Sequence, residues 1–75
     1  GIHYQLPQPG VVIIAIYNVS GQRIKTLVNE HREAGYYTVR WDGRSQDGKT
    51  VSNGVYFCRM RAGEDTSVKK ILLMR

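Results

Sequence analysis

Three groups of residues in this 75-residue chain have types and spacings that invite a chemical reading. The first is the loop Asp42-Gly43-Arg44-Ser45-Gln46-Asp47-Gly48, which looks like a calcium loop. Calcium takes six to eight oxygen ligands, and EF-type loops supply them from alternate positions. Here Arg44 stands at a ligand-spaced position, and no bidentate glutamate follows at the required distance. The loop therefore reads as a pair of turns in which Asp42 and Asp47 bond nearby backbone N–H groups and the glycines take positive φ. The second group is His3, His31 and Cys58, which lie far apart with no CxxC, HxH or HExxH spacing to make a zinc site. Cys58 is in strand phase with Tyr56 and Met60, as a small core hydrophobe would be. A nucleophile would need a base and an orienting group, and no motif supplies them. The third group is Arg40, Arg59 and Arg61. If their strands are neighbours, they form an arginine stripe suited to phosphate or carboxylate.

The elements that must carry these residues follow a period of two. Turn signals recur about every 8–12 residues, as in an all-β sandwich or barrel. Ile2 to Leu6 alternates, and Pro7-Gln8-Pro9-Gly10 breaks it because proline donates no ladder hydrogen bond. Val11 to Tyr17 is β-branched and nearly continuous, as in a strand covered on both faces or central in a sheet. Asn18 to Gln22 is a turn, Ile24 to Val28 a short strand, and Asn29 to Gly35 a polar connection. Tyr37, Val39 and Trp41 then face the core, with Arg40 outward. Thr50-Val51-Ser52 pairs briefly. From Gly54 onward, Tyr56, Cys58 and Met60 share one face while Phe57, Arg59 and Arg61 share the other. Ala62 to Asp65 is a hairpin turn. In Thr66 to Met74 the alternating sets Ile71/Leu73 and Leu72/Met74 are both apolar, which implies burial on both faces or a bulge.

Composition bounds the rest. This length makes one domain, which buries about 60–65% of its unfolded surface and has a thin stability margin. With a single cysteine no internal disulfide forms. No apolar run reaches the ~18 residues of a membrane span. Eleven Lys and Arg against six Asp and Glu give a net charge of +5. That field favours acidic partners in general without naming one. A nucleic-acid barrel would interleave exposed aromatics with the basic stripe. The plausible outward aromatics, Tyr17, Tyr36 and Phe57, are not so interleaved, and Trp41 falls on the core phase. The chain reads as a non-catalytic module without cofactor, metal or nucleic-acid partner. Because Gly1 to Tyr4 already reads as strand, it is expected to be the C-terminal piece of a longer protein. Exposed edges leave a strand-swapped homodimer open.

The ordered set Ile16-Tyr17-Asn18-Val19-Ser20-Gly21-Gln22, Ala34-Gly35-Tyr36-Tyr37-Thr38-Val39-Arg40-Trp41-Asp42-Gly43, Gly48-Lys49-Thr50-Val51-Ser52-Asn53-Gly54-Val55-Tyr56-Phe57 and Lys69-Lys70-Ile71-Leu72-Leu73-Met74-Arg75 resembles a known family. The family it resembles is the C-terminal sorting domain of the type IX (Por) secretion system, similar in turn to the Ig-like domain of flagellar hook-capping proteins. The resemblance implies a small Ig-like antiparallel β-sandwich of about six to seven short strands. It implies that residues 1–75 form one sorting domain behind an N-terminal cargo. An outer-membrane translocon would recognise it, a sortase-like peptidase would remove it, and the cargo would be secreted or held at the surface of a Gram-negative bacterium. By position, Gly54, Val55 and Tyr56 match the family's glycine-aromatic motif. Lys69, Lys70, Ile71, Leu72, Leu73, Met74 and Arg75 match its terminal motif, offered to a receptor by β-augmentation. The sequence departs from the family in lacking the upstream Asn-Pro segment and in carrying Cys58 where an aromatic is usual. The alternatives are a hook-capping type interaction module and a glycan-binding appendage of a secreted hydrolase.

Overall fold

The computed structural model describes all residues, 1–75. It contains six antiparallel strands and no helix. They are β1 (Ile2–Leu6), β2 (Gly10–Tyr17), β3 (Arg23–Arg32), β4 (Gly35–Val39), β5 (Gly54–Ala62) and β6 (Asp65–Leu73). β3, β2, β5 and β6 form a four-stranded sheet in that order, and β1 pairs with β4 in a second, two-stranded sheet. The architecture is the expected small Ig-like sandwich, with six strands and the Thr50–Ser52 segment reduced to a single bridge between Arg44 and Thr50.

The core lies between the two sheets. Val12, Ile14 and Ile16 of β2 are completely buried, and Val28, Tyr56 and Cys58 join them from β3 and β5. Tyr4 and Leu6 close the core from β1. β-Branched side chains at alternate positions suit a pleated face that is covered once, and this is how β2 is used. Val11 and Ile13 point the other way and are exposed. β2 is thus central in its sheet but not covered on both faces, which corrects one of the two options the apolar run allowed. The second sheet has only two strands and lies over one face of the larger one. The opposite face of the larger sheet has no layer upon it.

Local chemistry sets the turns. In the β2–β3 turn the Asn18 carboxamide oxygen accepts from the Ser20 and Gln22 N–H groups at 3.0 Å each. Such Asx turns replace a missing backbone partner. In the β5–β6 hairpin Ala62 pairs with Asp65, leaving Gly63 and Glu64 as a two-residue loop. Gly63 has φ of 62° and Glu64 has negative φ, the signature of a type II′ turn.

Two further expectations are corrected by long-range pairing. Asn29 to Arg32 is not a connection but the second half of β3, paired with Gly10 to Ile13. Its polar side chains are tolerated because Asn29 and His31 sit opposite Ile13 and Val11 on the uncovered face. Arg32 turns back toward the small sheet, donating to the Tyr4 hydroxyl at 3.0 Å and lying over the Tyr37 ring. β6 is neither buried on both faces nor bulged. Its register with β5 is unbroken from Gly54–Leu73 to Ala62–Asp65. Ile71 and Leu73 pack on the core, while Val68 and Leu72 are more than half exposed. The irregularities fall instead between β2 and β3, at Ile14/Ala15 and Ile16/Tyr17.

A candidate interaction face

The acidic loop behaves as a pair of turns. Asp42 accepts the Arg44 N–H at 3.1 Å and lies 3.7 Å from the Lys25 ammonium. The Ser45 hydroxyl donates to Asp47, whose carboxyl is held below its ordinary 3.8 mainly by that bond. Gly43 and Gly48 take φ of 75° and 83°. His3 lies against Thr38 on the small sheet, at 2.9 Å. His31 is on β3, and Cys58 is buried on the core side of β5. Burial pushes the Cys58 thiol above its ordinary 9.0, against a smaller opposing pull from the Lys69 charge. No three His, Cys, Asp or Glu side chains converge.

The residues matched to the sorting motifs are divided between two faces. Gly54 opens β5 with φ of 148°, and no heavy atom lies within 4 Å of where its Cβ would stand. Val55 is on the uncovered face, opposite Leu72. Tyr56 is a core residue, 6% exposed. Its hydroxyl donates to the Ser52 carbonyl at 2.7 Å, and its ring meets Trp41 edge-on at 5.0 Å. Lys69 is opposite Cys58 and Lys70 opposite Phe57, so the two ammonium groups leave β6 on opposite sides. Ile71 and Leu73 face inward, and Met74 is exposed beyond the strand. Arg75 is engaged, its guanidinium donating to the carbonyls of Gly43 and Val51. β6 is an edge strand, with one ladder side unpaired.

The arginine stripe does not form as expected. Arg40 follows β4 on the small sheet, whereas Arg59 and Arg61 point out from β5 in the large one. What the fold builds around them is a different surface, which the sequence pattern missed. Arg61 is opposite Ile13, Arg59 opposite Ala15 and Phe57 opposite Tyr17, so Tyr17 and Phe57 do adjoin the basic residues, contrary to the sequence expectation, because strand pairing brings β2 beside β5. On the far side Arg59 meets Val68 and Val55 meets Leu72. Ile13, Ala15 and Tyr17 floor a shallow hollow of about 180 Å³ walled by Arg59 and Arg61. The outward phase of Val11, Ile13, Ala15 and Tyr17 was the available signal, but it could be read only once β2 was known to be covered on one side.

The fold by itself assigns no function, which has to be argued from the site it carries. The comparisons with known proteins narrow the reading. The family model described as the FlgD Ig-like domain matches residues 1–66. The chain belongs to the FlgD Ig-like domain family, that of the flagellar hook-capping proteins. Among curated proteins it is similar to the basal-body rod modification protein FlgD of Salmonella typhimurium (strain LT2). The two are 40% identical over 53 residues, covering 69% of this chain and 23% of that protein. The Salmonella typhi protein of the same name matches to the same extent. The chain thus aligns with under a quarter of the length of these FlgD proteins. No solved structure matches it. The family match ends before Lys69, so the terminal motif Lys69 to Arg75 lies outside it. Of the two families the sequence suggested, the comparisons name the hook-capping one.

Proposed function

We propose that this domain is the Ig-like interaction unit of a flagellar hook-capping protein, making protein–protein contacts during flagellar assembly without catalysing a reaction. The observation that carries the reading is the FlgD family match across residues 1–66. The fold supports it in one respect: the large sheet leaves a whole face without a covering layer, free for a neighbour.

The test uses the similarity to the Salmonella protein. In a strain lacking its own FlgD, that protein is supplied with its matching segment replaced by residues 1–75, and swimming is scored. Restored swimming, together with loss when the segment is deleted, is the expected result. Swimming that persists after the deletion would remove the assembly role.

A second reading, type IX sorting, is supported by the position of β6 as an unpaired edge carrying Lys69 to Leu73. Under it the partners are the translocon and a sortase-like peptidase, and the cargo reaches the surface or the medium. Export of a reporter fused to this domain, lost when Lys70 to Arg75 are removed from a domain that still folds, is its test.

A further inference from the structure

The uncovered face of the four-stranded sheet combines two properties. It exposes aliphatic surface, with Val11 53%, Val68 57% and Leu72 62% accessible. It also carries charge of one sign. Arg59, Arg61 and Lys70 point outward from β5 and β6. All six carboxylates lie elsewhere. Glu30 is opposite the buried Val12, Asp65 is opposite Ala62, and the other four are in turns and loops. The sheet interior therefore supplies no internal partner for the two arginines. Arg59 and Arg61 are one pleat repeat apart, about 6.6 Å along the strand, and flank the Ile13–Ala15–Tyr17 hollow.

We propose that this face docks an acidic protein surface, which sets an apolar side chain into the hollow and carboxylates against Arg59 and Arg61. The proposal rests on the hook-capping reading for its biological setting and on the sheet face for its chemistry. Charge complementarity selects the occupant. A second copy packed face to face would oppose arginine with arginine, a like-charge arrangement that interfaces avoid. A nucleic acid would use the arginines but gain little from exposed valine and leucine. It would also want well-exposed aromatic stacking platforms, and the two aromatics on this face, Tyr17 and Phe57, are half-buried, while the exposed Tyr36 is on the other sheet. An acidic protein surface uses both properties, because arginine pairs with carboxylate bidentately while its stem and the neighbouring aliphatics are covered. Four strands of about 4.8 Å spacing and eight to ten residues give a face on the order of 500 Å². That is below the ~800 Å² per partner of a standard interface, so the contact is one that exchanges.

The experiment is a backbone amide NMR titration of the 75-residue domain. The probe is a 12-residue peptide of alternating glutamate and leucine. Two controls accompany it, a glutamate–serine peptide and a 12-nucleotide oligothymidylate. Shifts centred on Ile13, Tyr17, Arg59 and Arg61 are expected, with at least tenfold weaker binding of both controls. Arg59→Glu/Arg61→Glu should reduce peptide affinity at least tenfold while leaving the melting curve in place, since both side chains are exposed. Oligothymidylate binding as well as the peptide would replace the protein partner by a polyanion. Shifts confined to the edges of β3 or β6, or no shifts at millimolar peptide, would overturn the proposal.

The two readings fail separately in the Salmonella exchange. If the exchanged protein supports swimming with or without the arginine reversal, the face falls and the hook-capping role stands. If deleting the segment has no effect on swimming, the role falls, and the peptide titration alone decides the chemistry of the face.

Discussion

Replacing Tyr56 separates a structural anchor from a recognition residue. The ring is buried between the sheets and packs edge-on against Trp41, and its hydroxyl donates to the Ser52 carbonyl. Tyr56→Phe removes only the hydrogen bond. Ser52 is exposed, so water can take over its carbonyl, and the cost falls at about 0.5–1.5 kcal/mol. For a domain of this size each kcal/mol lowers Tm by roughly 4–8 °C. Tyr56→Ala removes the ring as well, and aromatic-to-alanine changes in cores cost about 3–5 kcal/mol. The whole domain has on the order of 4–11 kcal/mol to lose. That variant should therefore melt near or below working temperature. Leu72→Ala, on the opposite face and mostly exposed, should stay within about 0.5 kcal/mol of the parent. The assay is urea and thermal unfolding followed by circular dichroism on the three variants. The reasoning fails if Tyr56→Ala loses less than about 1 kcal/mol, or if Leu72→Ala loses as much as Tyr56→Ala. Either result would place the weight of the glycine-aromatic motif outside the core.

Gly43→Ala should cost about 1–2 kcal/mol, because a Cβ is strained at φ of 75°; the new methyl would also meet the Arg75 guanidinium. Arg75→Ala in the same chain should relieve the second part only, which a double-mutant cycle by urea denaturation would measure. Cys58 should react with a thiol reagent at pH 8 at least about a hundredfold more slowly in the folded domain than in denaturant. Reaching a thiol between paired strands requires an opening of roughly 3 kcal/mol or more. The pH profile should fall at both ends. Asp47 titrates lower in the folded chain than in the unfolded one, so its contribution is present above pH 3.8 and is lost as pH falls below that value. Cys58 titrates higher when folded, so its contribution is present below pH 9.0 and fades as pH rises beyond it. Asp47→Asn should flatten the acid limb in chemical denaturation, and Cys58→Ala the alkaline one.

Sequence alone determined what is local. Alternation at Tyr4/Leu6, Tyr37/Val39 and Tyr56/Cys58 gave strands and their inward residues, because side-chain direction in a strand has a period of two. The turns at Gly21, Gly43, Gly48 and Gly63 were legible because glycine takes the positive φ they require. Tertiary structure decided everything that depends on which strand lies beside which. Asn29 to Arg32 looks like a connection until Gly10 to Ile13 pairs with it. The two apolar phases of β6 are equivalent in sequence, and only its place at the sheet edge over a one-sided core turns Ile71 inward and Leu72 outward. The same placement splits Lys69 from Lys70, separates Arg40 from Arg59 and Arg61, and leaves those two beside Ile13 and Tyr17. Strand order is set by summed burial over distant segments, and no local pattern encodes it.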